Sequence, residues 1–177
     1  MLLTEFDPST LAGSEAEQTM LHSQSNVLTE HSRIALKLFK QAAQAGLPEA
    51  VTCLGHIYEI GGYECEKTGR FYSLTKRNLE KAIPLYEQAA GHGDELAMNF
   101  LGAYFFNVKD NAVEAVRYFR QASTSGNCAR ALNNLALCFE HGVATQQDID
   151  TAISLYEKAA RLAYAPALCN HAYLLFR

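Results

Sequence analysis

The sequence predicts an all-α solenoid, a stack of antiparallel helix pairs, from two repeated phrases and their period. The first phrase reads alanine, an aromatic residue at the fifth position, small residues at the eighth and ninth, and glycine or alanine at the twelfth. Its copies begin at Ala35, Ala82, Ala115 and Ala152, so they lie 47, 33 and 37 residues apart. Periods in the thirties and forties are typical of helical repeat arrays. Four copies in one chain therefore predict a stack of similar units.

The second phrase lies between the copies and predicts the other helix of each unit. It contains Leu54-Gly55, Leu101-Gly102 and Leu135-Ala136, each preceded four residues earlier by alanine and followed by an aromatic residue. Apolar and small residues three and four positions apart form one face of a helix. We call this the A helix and the alanine-aromatic phrase the B helix. Small residues let neighbouring helices approach closely, and a hairpin of this kind needs a neighbour to bury both faces.

Residues at the ends of the phrases predict where the helices start and stop. Glycine after a B helix suits a left-handed backbone conformation. Pro48 and Pro166 fit the first turns of A helices, while Asn111 and Asp148 are predicted N-caps of B helices. Pro84 falls two residues into the second B phrase. We expect that helix to begin late or to bend there.

The remaining sequence predicts the domain boundaries. Residues 1–30 form an N-terminal segment, in which residues 1–13 are predicted to be disordered and a helix from Ser14 to about Leu28 is a degenerate first A helix. Residues 31–177 form the repeat domain, with an insertion at residues 61–76 that explains the long first period. The insertion mixes aromatic and basic residues. Either it is a recognition loop or its aromatic residues pack back on the solenoid.

Three quoted segments resemble the Sel-one-like repeat family, a relative of the tetratricopeptide repeat. They are "LGHIYEIGG", "AIPLYEQAAGHGDELAMNFLGAYF" and "NNLALCFEHGVATQQDIDTAISLYEKAA". The resemblance covers roughly residues 31–177, with departures at Ser123, Ala163 and His171, which replace an alanine, a glycine and a leucine. It implies a right-handed superhelix of about three to four helix pairs.

Composition argues against several classes of partner. The net charge is −4 and the isoelectric point is near 5.8, so there is no basic surface for nucleic acid or an anionic membrane. No apolar run approaches the roughly 18 residues of a membrane span. The first residues carry no signal-peptide pattern. The five cysteines are irregularly spaced, which favours a reduced, cytoplasmic protein.

The sequence contains no pattern that predicts catalysis. The histidines form no metal-binding pair four residues apart, and "GHGDE" at residues 91–95 falls in a turn between helices. The glycines match no phosphate-binding loop, and no cysteine has an evident base beside it. We therefore predict a protein that is not an enzyme and has no metal and no cofactor.

The resemblance to tetratricopeptide-like solenoids implies a concave groove lined by A helices. Positions on the face opposite the packing face are found by counting from the leucine of each A phrase. Asparagine can hold a peptide backbone by donating and accepting together. These positions are therefore interpreted either as a peptide-binding surface or as a polar helix face that contacts only solvent. The predicted protein-binding residues are Thr52, His56 and Glu59 with Ile60, Asn99 and Phe106 with Ala103 and Asn107, and Asn133, Leu137, Glu140 and His141.

The predicted function is that of a non-catalytic scaffold or adaptor, which binds a peptide or protein surface in this groove. Two alternatives remain open. The first is an enzyme resembling the cysteine-rich, penicillin-binding branch of the repeat family, although Cys53 to Cys65 and Cys128 to Cys138 do not share one spacing. The second is the regulatory segment of a larger signalling protein.

The C-terminal segment "APALCNHAYLLFR" predicts a further contact. It reads as an A helix without a B partner, and its consecutive residues Tyr173 to Phe176 must point around the helix. Monomers seldom leave such an apolar patch exposed. We expect a second copy of the chain, further sequence or the N-terminal segment to cover it, and a homodimer is the first of these possibilities.

Overall fold

The computed structural model describes the backbone of residues 15–65 and 70–176, and the side chains of residues 30–62 and 71–176. The disorder predicted for residues 1–13 lies outside these ranges. Helices dominate the described part. They are α1 (Glu15–Gln44), α2 (Pro48–Ile60), α3 (Leu79–Gly91), α4 (Glu95–Asn107), α5 (Ala112–Ala122), α6 (Ala129–His141), α7 (Ile149–Arg161) and α8 (Ala165–Leu175).

The helices pack as the predicted pairs. An A helix and the B helix that follows it make the largest contacts, in the pairs α2 with α3, α4 with α5, and α6 with α7. Smaller contacts join each pair to the next, and α1 and α8 pack at the two ends. The predicted all-α solenoid of antiparallel helix pairs is confirmed. The A helices are α2, α4, α6 and α8. The B helices are α3, α5 and α7, and the first B phrase, from Ala35, lies in the C-terminal part of α1.

The helix ends follow the local sequence. The side chains of Asn111 and Asp148 accept hydrogen bonds from the backbone N–H groups three residues later, so both predicted N-caps are confirmed. Asn78 and Asp94 cap α3 and α4 in the same way. Pro48 is the first residue of α2, as predicted. Each cap satisfies one of the backbone donors that the first turn of a helix leaves unpaired.

The repeated alanines are the contact points of the core. Ala82 and Ala89 in α3 are fully buried, and so are their counterparts Ala115, Ala122, Ala152 and Ala159 in α5 and α7. The A helices use glycine for the same purpose. A Cβ atom added to Gly102 would lie 2.6 Å from the ring of Phe119. Small residues are therefore needed wherever an A helix meets the aromatic residue of its B helix.

The structure differs from the sequence prediction at three places. The helix predicted to end near Leu28 instead runs on through Gln44 as the single helix α1. Helix α3 starts at Leu79 and contains Pro84, so the helix does not begin late, and the alternative of a bend at Pro84 stays a prediction. The insertion contains a two-stranded antiparallel hairpin, β1 (Gly62–Cys65) and β2 (Arg70–Ser73). The backbone N–H groups of Leu74 and Thr75 donate to Gly61, which joins the hairpin to the end of α2.

Replacing Ala163 by glycine is expected to stabilise the protein by about 1 kcal/mol. Ala163 occupies the position at which other units have glycine, and its φ is 57°. A residue with a Cβ atom is destabilised by roughly 1–2 kcal/mol in this left-handed conformation. The gain from glycine is smaller than that, because glycine also has more conformational freedom in the unfolded chain. Urea unfolding of the two proteins measures the difference.

The matched control is Gly126→Ala at the equivalent position of the preceding unit. Gly126 has a φ of 76°, and a Cβ atom there would meet nothing within 4 Å. Any loss of stability therefore comes from the backbone alone, and about 1 kcal/mol is expected. Equal stability of all three proteins would contradict this explanation.

Candidate functional site

The structure buries four of the twelve residues predicted to bind a partner. Thr52, Asn99, Asn133 and Glu140 are each less than one tenth exposed. Counting from the leucine placed them on the polar side of the A helix. On this side Asn99 and Asn133 contact the next A helix, and Glu140 contacts Tyr156 of its own B helix. The expectation that their side chains are accessible is therefore wrong, and a binding role for them stays a prediction.

The two asparagines link successive A helices. Asn134 on α6 donates a hydrogen bond from Nδ2 to Oδ1 of Asn99 on α4, at 2.9 Å. One unit later, Asn170 on α8 donates from Nδ2 to Oδ1 of Asn133 on α6, at 3.0 Å. The same pair of positions is used at both junctions. A buried amide needs such a partner, because leaving it unpaired costs free energy.

The first junction, between α2 and α4, uses aromatic rings in place of this amide link. Phe100 occupies the position of Asn134, and its ring stacks on His56 at 5.2 Å and on Tyr86 at 4.9 Å between centroids. Thr52 occupies the position of Asn99, and its buried Oγ1 makes no hydrogen bond within the described residues. The junction is therefore filled by stacked rings.

A glutamate near the end of the A helix accepts a hydrogen bond from the tyrosine of its B helix in two units. The Tyr86 hydroxyl donates to Glu59 and the Tyr156 hydroxyl donates to Glu140, both at 2.7 Å. Burial, together with the hydrogen bond to the carboxylate, raises the pKa of both phenols above the ordinary value. Both tyrosines therefore remain neutral donors.

Glu59 also lies 3.3 Å from Nδ1 of His56. Burial acts to raise the pKa of the Glu59 carboxyl, but the hydrogen bonds from His56 and Tyr86 outweigh it, and the pKa lies below its usual value. Glu59 and His56 are both part-buried, so this end of the A-helix row carries a tightly held carboxylate. The carboxylate oxygens of Glu59 therefore accept hydrogen bonds largely from side chains of the same fold.

The middle unit replaces both members of the glutamate–tyrosine pair. Phe106 stands at the position of Glu59 and Glu140, and Phe119 stands at the position of Tyr86 and Tyr156. The side chain of Phe106 is 43% exposed, whereas Phe119 is buried. Exchanging only one member would leave a hydroxyl or a carboxylate without its partner, which explains why both change together.

An open cavity of about 410 Å³ lies beside Phe106, between α4, α5 and α6. Its polar residues are Asn107, Asn134 and His141, at the ends and edges of the helices. Its other residues are mainly apolar: Ala103, Phe106, Phe119, Leu137, Cys138 and Val143. We call it the junction pocket. The predicted binding residues therefore fall into different groups. Phe106, Leu137 and His141 line the junction pocket, whereas the four buried residues do not.

Sequence reasoning missed four lining residues, Phe119, Asn134, Cys138 and Val143. Phe119 was assigned only to packing, and Asn134 is one residue away from the position that was chosen. The sequence did contain one usable sign of the pocket. The change from a Glu and Tyr pair to a Phe and Phe pair marks the middle unit as different from its neighbours.

Comparison with protein families gives a match to the Sel1 repeat over residues 31–47, 54–94, 96–127 and 129–164. The chain belongs to the Sel1 repeat family. The matched segments follow the A and B helices described above and cover more than half of the chain. The resemblance drawn from the sequence is therefore confirmed.

Relatives of this Sel1 repeat protein are considerably longer. DAP3-binding cell death enhancer 1 of Rattus norvegicus is 30% identical over 96 residues, which are 54% of this chain and 19% of the relative. Chitin synthase regulator SKT5 of Saccharomyces cerevisiae is 30% identical over 140 residues, 76% of this chain and 18% of the relative. The chain thus spans less than a fifth of either protein.

A solved structure has the same fold. The crystal structure of a Sel1 repeat protein from Oxalobacter formigenes superposes with a TM-score of 0.66 at 22% identity. The superposition covers 79% of this chain and 54% of the other. At this identity the likeness establishes the helical repeat architecture.

The thiols of this Sel1 repeat array do not support the cysteine-rich alternative. Cys128 and Cys138 are buried and are not joined in a disulfide. Burial raises the pKa of the Cys138 thiol to about 11. A thiol of this kind is protonated at neutral pH and is a poor nucleophile. Among the described residues, no cluster of three or more histidine, cysteine or acidic side chains could hold a metal ion.

None of the helices in the described ranges is both long and apolar enough to cross a membrane.

The last helix carries the apolar surface that the sequence predicted. Leu174 packs into the core with α6 and α7, whereas Tyr173 and Leu175 are exposed and Phe176 is 94% exposed. Within the part of the chain that the structure describes, these side chains are open to solvent. The predicted cover by the N-terminal segment falls partly on residues 1–14, which lie outside that part. The homodimer through this end stays a prediction.

Proposed function

We propose that the chain is a non-catalytic scaffold or adaptor that binds a segment of a partner protein on the exposed side of its A helices. The observation that carries the proposal is the meeting of three predicted binding residues, Phe106, Leu137 and His141, around one open pocket. Solenoids present extended surfaces of this kind on successive helices. Asn107 is exposed and also lines the pocket, whereas the part-buried His56 and Glu59 lie on the preceding A helix, α2.

The comparisons support a protein partner at a coarser level. One relative is named for binding DAP3 and another for regulating chitin synthase. The family and the fold also point to non-enzymatic repeat proteins. We keep a cytoplasmic protein as the proposed setting, supported by the irregular cysteines. A regulatory segment of a larger protein is compatible with the same binding surface.

Selection from a displayed peptide library tests the proposal without a known partner. Peptides enriched on the wild-type protein are expected to lose binding by at least about tenfold to Phe106→Glu, since a charge at this exposed ring removes apolar contact area. The matched control is Val113→Glu on helix α5, where the side chain is 69% exposed. It is expected to bind as the wild type does. Equal loss in both variants, or no loss in either, would count against the A-helix side as the binding surface.

A further inference from the structure

The first junction, between α2 and α4, shows which side chains are missing from the junction pocket at the second junction, between α4 and α6. Between α2 and α4, the ring of Phe100 stacks on His56 and Tyr86 and occupies the space between the helices. The chain thus supplies its own aromatic side chain at this point of the repeat.

The second junction has lost that ring and one of its two neighbours. Asn134 stands where the first junction has Phe100, and Ala103 stands where it has His56. Asn134 turns its amide to Asn99 on α4. Phe119, the counterpart of Tyr86, stays in place as a wall of the junction pocket. The pocket is therefore the space that two rings fill one unit earlier.

The third junction shares only one of these two changes. Asn170 again takes the place of Phe100, but Leu137 stands at the position of Ala103. Leu137 packs against the core cluster formed by α6, α7 and α8. A small side chain at position 103 together with an amide at position 134 is thus particular to the middle of the array.

We infer that the junction pocket binds an aromatic side chain of the partner protein, in the place that Phe100 fills at the first junction. This inference rests on the proposed function and names the anchor of the bound segment. Phe106, Phe119 and Leu137 offer apolar contacts to a ring, and aromatic pairs prefer stacked or edge-to-face contacts such as those at the first junction. Asn107 and His141 lie beside the pocket, where they can pair with the polar groups of the segment that carries the ring.

The specific test compares the wild type with a phenylalanine placed inside the pocket, Ala103→Phe, and a phenylalanine placed outside it, Val113→Phe. All three proteins are measured against the peptides selected on the wild-type protein. The selected peptides are expected to share one aromatic residue, and its replacement by alanine in the peptide should weaken binding at least about tenfold, as for a buried anchor. Ala103→Phe should weaken binding by a similar factor because its ring fills the pocket. Val113→Phe, the matched control, adds the same ring on helix α5, where the side chain is 69% exposed and lies outside the pocket lining. It should bind within about twofold of the wild type.

The outcomes separate this inference from the proposed function. Two results would overturn the aromatic pocket: selected peptides with an aliphatic or charged anchor, or aromatic peptides that bind Ala103→Phe as tightly as the wild type. In either case, weaker binding to Phe106→Glu would still support the A-helix side as the binding surface. Circular dichroism tests whether Ala103→Phe is folded. If this variant does not fold, the effect of replacing the aromatic residue of the peptide by alanine decides whether the pocket binds an aromatic ring.

A second probe covers the case in which selection returns no peptide. Titration with N-acetyl-phenylalanine amide should shift NMR resonances at Phe106 and His141 more than N-acetyl-leucine amide does at equal concentration. An equal response to the two amides, or no response, would overturn the inference.

Discussion

Replacing Tyr156 by phenylalanine is expected to lower the free energy of unfolding by about 2 kcal/mol, the range for a hydrogen bond to a charged group. The Tyr156 hydroxyl donates to the Glu140 carboxylate at 2.7 Å, and both side chains are buried. Removing the hydroxyl leaves the carboxylate without that donor in a place where water is largely excluded. Urea unfolding monitored by circular dichroism measures the loss.

The middle unit supplies the control for this prediction. It holds phenylalanine at both positions, as Phe106 and Phe119. The double variant with Glu140→Phe and Tyr156→Phe should therefore be more stable than the two separate losses would predict. Conversely, Phe119→Tyr alone should destabilise, because Phe106 offers no acceptor. A Tyr156→Phe variant within about 0.5 kcal/mol of the wild type would show that this hydrogen bond contributes little.

Replacing Asn133 by alanine should also lower stability, by about 1–2 kcal/mol. Asn133 is 4% exposed and accepts from Asn170 at 3.0 Å, so the change removes the amide link between α6 and α8. The sequence placed Asn133 on an accessible face, where a substitution usually changes stability by less than about 0.5 kcal/mol, and its buried position reverses that expectation. Thermal and urea unfolding of the variant measure the effect.

Asn107→Ala is the matched control, because Asn107 is exposed and the same side chain is shortened. It should stay within about 0.5 kcal/mol of the wild type. Two variants of equal stability would mean that the asparagine link does not contribute to the array.

The repeated phrases predicted the fold because the packing of this protein is nearly the same in each unit. Ala82, Ala115 and Ala152 are buried at equivalent helix contacts, so one pattern of small residues specifies each pair. The prediction failed where that pattern is absent. The sequence predicted a helix from Ser14 to about Leu28, but it did not reveal that this helix continues without a break to Gln44 as α1.

The candidate site was harder to predict because its geometry depends on residues in neighbouring units. Asn99 meets Asn134 at a separation of 35 residues, and Asn133 meets Asn170 at a separation of 37. A helix-by-helix count finds the polar face but does not show that the next A helix covers it. Phe106, Leu137 and His141 line the open junction pocket, whereas Glu140, directly before His141, is buried. A binding role for the three pocket residues stays a prediction.

The measurement that tests the account most directly compares Ala103→Phe and Asn133→Ala for both stability and peptide affinity under conditions where both are folded. The central claim is that the asparagine links hold the array together while the junction pocket binds the partner. Ala103→Phe should therefore lose at least about tenfold in affinity for the selected peptide with little loss of stability, and Asn133→Ala should lose stability while its affinity stays within about threefold of the wild type. The reverse pattern, with weakened binding and unchanged stability in Asn133→Ala, would contradict it.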